Sequence, residues 1–481
     1  MKKYNFLSLI FITFFLLQSC ADDGLYFENA FVIKNINIID PIEGLKENIT
    51  VIIKKNKIDQ LFKANEIKLS PENTIYDGTN QFLIPGLWDF HIHFAFETLL
   101  AKEMPDLFLS HGITSVRDTG GPIDFVIPFK EYSLKNPSTS PRVMIAGPLI
   151  DGKYNVYDGS SSAFPKLSIR NASASELQKQ VQGLIDKKVD FLKAYEMLSP
   201  MQFSLLAKMA KTNGLKLTGH VPLSMDVITA TNLGLNSMEH LRNIELSMSQ
   251  DFDILLLERT LALENKNKIS GSKLRSSLHQ SQRMRAISRI DSSRVEEVLN
   301  TLAKNETWQI PTLELYQTFA NKKYKNKTFQ SNFSLISKKV KLKWMEQINA
   351  TSDKVNEEML KQNKWSRTLV NQMHKKKIPF MAGTDTPIGY LIPGLSLHDE
   401  LIQLTYSGFS NLEALKTATY NPAVYFGLEK TLGRIKVGYE ADLVLLNKNP
   451  LESIENTKTI KGVIKAGNYM NKSYLDSLKG K

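Results

Sequence analysis

The chain has 481 residues, 42% of them hydrophobic, which excludes a small stapled module and fits one large globular domain with a smaller companion. Its formal net charge of +12 is spread along the sequence, with no basic block interleaved with aromatics, which excludes nucleic-acid recognition and leaves solubility and attraction to anionic lipid headgroups. Cys20 is the only cysteine, so an intramolecular disulfide is excluded as well.

Lys2 and Lys3 precede an apolar run from Phe6 to Leu17, followed by Gln18, Ser19 and Cys20. A basic start, an apolar stretch too short to span a bilayer and a small-residue end mark residues 1–20 as a secretory signal. "LQSC" resembles a bacterial lipobox, whose cysteine takes a diacylglycerol thioether. The expected product is exported and lipid-anchored through Cys20 to a bacterial membrane, on its periplasmic or cell-surface side.

From Asn29 to Tyr76 the text is short and β-rich, with turn residues between apolar runs such as "AFVIKNINIID" and "NITVIIKKNKIDQLF". After Leu83 short strand candidates alternate with amphipathic helices. The strands are "LWDFHIH" (87–93), "ITSVRD" (113–118), "RVMIAG" (142–147), "DFLKAYE" (190–196), "LKLTGHV" (215–221), "NSMEHL" (236–241), "WQIPTLEL" (308–315) and "IPFMAGTD" (378–385). Between two of them, Ser199-Pro200 starts a helix and Asn213-Gly214 stops it. Eight such units over 85–430 predict an α/β protein built on a (β/α)8 TIM barrel, with functional residues at the strands' C-terminal ends.

Residues 242–305 are too long for one crossover and predict a lid-like insertion on the catalytic face. β-type text returns after residue 430 in "GRIKVGYEADLVLLNKNP" and "IKGVIKAGNYM". Segments 24–84 and 431–475 therefore predict one small β-sandwich domain assembled from both chain ends.

His91 and His93 alternate on the first strand and so aim two imidazoles at one point. Neutral imidazole is the commonest protein ligand for zinc and related ions. Lys193, His220, His240 and Asp385 fall late in strands four, five, six and eight, which brings four imidazoles, an amine and a carboxylate to the mouth of one barrel. Each alone has an ordinary use, as a satisfied histidine, a paired lysine or a helix-capping aspartate. Six in strand order point to a metal site.

These residues sit in motifs that resemble the amidohydrolase superfamily, in its imidazolonepropionase-like and prolidase-like branch, over nearly the whole chain after the signal. "PGLWDFHIH" is similar to the entry motif, "HGITSVRDTG" to the second strand, and "GHVPLSMDVITATNLGLNSMEHL" to the fifth-to-sixth strand unit. "GTDTPIG" is similar to the eighth strand, and "LHDELIQLTYSGFSNLEALKTATYNPAVYFGL" to the helices after it.

The resemblance implies two divalent ions, zinc the first choice. His91, His93 and Asp385 would hold one, His220 and His240 the other, and Lys193, carboxylated by carbon dioxide, would bridge them. It implies hydroxide attack on a small amide, dipeptide or cyclic amide, with Asp385 passing the proton to the leaving nitrogen. Competing expectations are a mononuclear deaminase or cyclic amide hydrolase, and a non-catalytic binding lipoprotein that keeps the barrel.

Tyr195 shares the strand face of Lys193 and is read either as a catalytic contact to substrate or as a buried aromatic. Arg117 and Asp118 are read as a structural pair, His398 as support for the site or a helix-start residue, and His111, His279 and His374 as surface. Where prolidase-like members often carry a Gly-Gly-His loop after strand three, this chain has "GPLIDGKYNVYDGSSSAF" without a histidine. Carboxylate recognition by such a residue does not carry over. Barrels of this kind often pair, so a homo-oligomer is expected.

Overall fold

The computed structural model describes residues 24–264 and 269–480. The signal expected over 1–20, with Cys20, lies outside them. Among the described residues no helix is long and apolar enough to cross a membrane.

Isoleucine- and valine-rich text forms β1 (Ala30–Asp40), β2 (Gly44–Lys54) and β3 (Lys57–Lys63), because branched side chains suit a pleated, half-buried surface. The β1–β2 turn is set by Asp40, whose Oδ1 accepts the N–H groups of Ile42 and Glu43, each at 2.9 Å. β4 (Thr74–Asp77) and β5 (Phe82–Pro85) run parallel to β1. Gly86 then carries the chain into the barrel, where a Cβ would lie 2.2 Å from Thr114 Oγ1.

The barrel opens with β6 (Leu87–Ile92), β7 (Ile113–Asp118) and β8 (Arg142–Ile145), and continues through β9 (Leu149–Asp151) and β10 (Ser168–Arg170). β11 (Phe191–Ala194), β12 (Lys216–Gly219), β13 (Ser237–Glu239) and β14 (Trp308–Ile310) follow. Neighbours pair in parallel. Strand three is split, and β8 and β9 both feed β11, since Asp190 N donates to Ile145 O at 2.9 Å and Tyr195 N to Ile150 O at 3.0 Å. Segment 378–386 forms no continuous ladder yet closes the ring. Gln309 N reaches Pro379 O at 2.9 Å on one side, and Phe90 N reaches Ala382 O at 2.9 Å on the other.

Strand seven is shorter than its alternation predicts. Pro311 offers no N–H, Thr312 turns to φ +50°, and the buried Glu400 carboxylate accepts the N–H groups of Leu313 and Glu314 at 3.0 and 2.7 Å. "TLEL" therefore starts the helix Leu313–Ala320 instead of extending the strand.

Region 242–305 holds the helices Ile244–Ser247, Phe252–Glu264, Gly271–Ser288 and Ser292–Lys304. The last buries Val298, Leu299 and Leu302 in the main core and is the ordinary crossover to β14. A further excursion over 323–349, unread in the sequence, ends in the helix Lys338–Asn349.

β15 (Leu443–Leu446), β16 (Ile460–Lys465) and β17 (Asn468–Asn471) join the first sheet in the order β17-β16-β15-β5-β1-β2-β3, with β4 beside β1. The sheet rolls over on itself. Tyr469 of β17 stacks on Phe31 of β1 at 4.9 Å although three strands stand between them, and Ile36, Val51, Leu83, Leu443 and Ile464 are enclosed in one cluster.

Candidate active site

His91 is in β6 and His93 one residue beyond it. Their Nε2 atoms lie 3.4 Å apart, and each is 3.1 Å from Asp385 Oδ1. A tetrahedral ion bound at about 2.0–2.1 Å holds its donors about 3.3 Å apart, so this triangle has the size of one face of such a site. The residues fit a metal. Asp385 is presented from a left-handed residue at φ +64°. The turn before it is fixed by Asp89, which accepts the N–H and hydroxyl of Thr384 at 3.1 and 2.7 Å.

Three of the four other ring nitrogens are hydrogen-bonded, and the fourth, that of His91, faces a carboxylate without a hydrogen bond. Nδ1 of His93 meets Gly120 O at 2.9 Å, that of His220 meets Glu196 Oε1 at 2.7 Å, that of His240 meets Thr312 Oγ1 at 2.7 Å, and that of His91 lies 2.7 Å from Glu239 Oε2. Such outer partners fix ring orientation and tautomer and leave Nε2 for a ligand role. His91 and His240 have ring centroids 4.6 Å apart, His220 and His240 5.0 Å. Burial holds His220 neutral, with its pKa pushed down to about 3, and lowers His240 well below the usual range. Neutral imidazole is the ligating form. Burial opposes the charge of Asp385, but His240 and His91 outweigh it and keep the carboxyl well below the usual range.

Lys193, in β11, reaches the same cavity, where its buried amine pairs with the Glu239 carboxylate. Burial lowers its pKa and Glu239 opposes that shift. Glu239 also accepts Arg117 Nη2 at 2.6 Å. With His91 and His240 it forms a second buried donor group that could hold an ion.

The sequence model described as "Amidohydrolase family" matches residues 82–470. The chain belongs to the amidohydrolase family. This family hydrolyses C–N bonds and generally uses divalent metals. An adenine deaminase of Clostridium perfringens is 32% identical over 85 residues, 18% of this chain and 15% of that protein, so the chain matches well under two thirds of this relative's length. A solved Xaa-Pro dipeptidase with methionine bound in its active site shares 18% identity at a TM-score of 0.66, over 92% of this chain and 100% of that one. Aspergillus niger ochratoxinase shares 17% at a TM-score of 0.64, over 92% and 96%. At these identities the structural likeness is one of fold.

In this amidohydrolase the donors open into a cavity of ≈ 30 Å³ that also meets Tyr157, Tyr195, Arg242 and Arg275. Tyr195 is buried, its ring 4.5 Å from that of His220 and 5.9 Å from that of Tyr157. Arg275 comes from the helix Gly271–Ser288 inside the insertion. Glu196, at the end of strand four, accepts Arg275 Nε at 2.9 Å and lies 3.8 Å from Arg242 Nε. Burial opposes the Glu196 charge, but Arg275 and His279 hold its carboxyl well below the usual range. Two guanidiniums thus share one carboxylate, which leaves one positive charge in excess at the cavity wall.

Several other sequence readings need correction. Arg117 does not pair with Asp118. Arg117 serves Glu239, while Asp118 accepts the N–H groups of Phe94 and Gly120 at 2.8 and 3.1 Å and so shapes the loop after β6. His279 is not surface, because the insertion helix folds onto the mouth and sets its Nε2 2.7 Å from Glu196. His111 is buried, its Nδ1 2.8 Å from Leu107 O. His398 lies away from the donors, between Thr457 Oγ1 at 2.9 Å and His111 O at 3.0 Å. His374 is partly covered, its ring tilted against that of Phe409 with centroids 3.9 Å apart.

Glu196 and Glu239 were missed, although both end barrel strands as the histidines do. Arg275 carries no strand-end signal.

Proposed function

We propose that this amidohydrolase binds two divalent ions, zinc first among them, and hydrolyses the C–N bond of a small amide bearing a carboxylate, such as a dipeptide or an N-acyl amino acid. The observation that carries the reading is the His91, His93 and Asp385 triangle, set among histidines whose Nδ1 atoms are already engaged. In this reading those three would hold one ion and His220 and His240 the other, and Lys193 would serve as a carbamate ligand. The carbamate forms when the neutral amine adds to carbon dioxide and releases a proton, and burial favours that neutral amine. Bound ions supply a Lewis acid for the carbonyl and a water of near-neutral pKa.

The chain's own residues do the rest. Asp385 accepts a proton from the attacking water and returns it to the leaving nitrogen. Tyr195, buried beside His220 at the cavity wall, donates its hydroxyl to the oxygen that gains charge in the transition state. Arg242 and Arg275 select an anionic substrate through their uncompensated charge. The products are a carboxylate and an amine.

Incubating the zinc-loaded protein with dipeptides, N-acyl amino acids and cyclic amides, and reading amine release, tests the proposal. Turnover of carboxylate-bearing members supports it. No turnover of any member contradicts it and favours a binding lipoprotein. One observation favours a different rival, because Lys193 is paired with Glu239, which suits a single ion and mononuclear chemistry. Metal stoichiometry separates the two. The signal over 1–20 extends the proposal to an exported lipoprotein, tested by labelled fatty acid that enters the wild type and not Cys20→Ala.

A further inference from the structure

A second cavity of ≈ 420 Å³ adjoins the catalytic one, and Tyr157 and Ile388 line both. Its wall carries five aromatic rings, those of Phe96, Tyr157, Phe319, Trp344 and Tyr390. Trp344 is fixed edge-on between Phe333 at 5.4 Å and Tyr390 at 5.7 Å. The other four lining rings are only half-buried, so aromatic surface remains open to a ligand. Gly389, at φ +68°, stands between this wall and the barrel, and a Cβ there would approach Leu315 Cδ1 to 3.1 Å and the Phe319 ring to 3.4 Å.

The chamber is electrically neutral. Its two charged lining residues, Glu97 and Lys343, pair at 2.6 Å. Arg242 and Arg275, which line the catalytic cavity, also border a polar cavity with His279 and Arg283. The catalytic cavity therefore adjoins both an aromatic, uncharged chamber and an arginine-bordered one.

We infer that the acyl half of the substrate ends in an aromatic ring that enters this chamber, while the carboxylate of the amine half meets Arg242 and Arg275. An apolar cavity of about 150 Å³ already holds a benzene ring, and ring faces and edges attract a further ring beyond simple area burial. The inference rests on the amide-hydrolase reading above and narrows its substrate class to N-(arylacyl) amino acids and dipeptides with an aromatic first residue.

The experiment compares N-phenylacetylglycine with N-acetylglycine on the zinc-loaded full chain, in the wild type, in Ala163→Trp, which fills the chamber from an exposed position, and in Tyr390→Ala. The expected wild-type ratio of kcat/KM is about tenfold or more in favour of the phenylacetyl substrate, and both variants bring it toward one. Equal rates in the wild type, or a ratio untouched by both variants, overturn the inference while leaving amide hydrolysis standing. A second readout is independent of turnover. Binding of 2-naphthylacetate, followed by its fluorescence, is expected in the wild type and weakened about tenfold in Ala163→Trp. Absence of wild-type binding overturns the inference even if amides are hydrolysed. Binding without hydrolysis of either amide overturns the amide-hydrolase reading alone.

Discussion

Lys193 and Glu239 form an ion pair with both side chains buried at the barrel mouth. Glu239 is at once the counter-charge of Lys193 and Arg117 and the neighbour of His91 Nδ1. Removing one member of a buried pair strands the other charge, which costs about 3–5 kcal/mol. In the metal-free protein, where Lys193 is an uncarboxylated amine, Glu239→Ala is predicted to lose that much in denaturant unfolding, whereas Lys472→Ala, which breaks an exposed pair with Asp476, should lose under about 1 kcal/mol. Similar losses in the two variants would refute the assigned role of Glu239.

Glu196 orients His220 and is itself held by Arg275 and His279 from the insertion helix. Glu196→Gln keeps the shape and drops the charge. Outer partners of metal-binding histidines are worth about 10–100-fold in metal affinity, and a loss of that size is expected in chelator competition. Unchanged affinity would mean that His220 holds no ion.

Arg242 has its nearest protein carboxylate at 3.8 Å. Arg242→Met is predicted to lower kcat/KM about 10–100-fold for an N-acyl amino acid, in the range of a lost charge-assisted contact, and to leave the matching carboxamide nearly unaffected. Equal losses on both substrates would place Arg242 outside carboxylate recognition.

His398 is buried, with its pKa pushed down to about 4. A histidine kept neutral in the fold lets the unfolded chain bind the extra proton, so its contribution is full above the unfolded value and is lost as pH falls from about 6.5 toward 4. His398→Gln is therefore predicted to flatten the fall in stability over that window, by up to about 1.4 kcal/mol per pH unit. Parallel curves for wild type and variant would contradict the assignment.

The barrel was legible because its strands are apolar on both faces and carry their polar residues late, as in "DFLKAYE" and "IPFMAGTD". The same rule singled out the donors that the fold brings together, and applied evenly it would also have flagged Glu196 and Glu239. Arg275 and His279 were illegible for a different reason. They lie on a mostly polar helix whose pattern does not say which face folds onto the mouth. Trp344 lies on a helix with a regular buried face, Val340, Trp344 and Ile348, whose pattern does not say that it borders the mouth. Tyr390 comes from a three-residue turn, and the burial of His398 depends on Thr457 and the carbonyl of His111, far away in sequence. "WQIPTLEL" alternates like a strand, but Glu400, 86 residues on, caps the amide of Glu314 and makes it a helix start.

The most direct test of the central claim is the metal content per chain of the protein without its signal, purified with zinc and bicarbonate, beside Lys193→Ala. The account predicts about two ions in the wild type and fewer in the variant. One ion in both, or none in either, would contradict it.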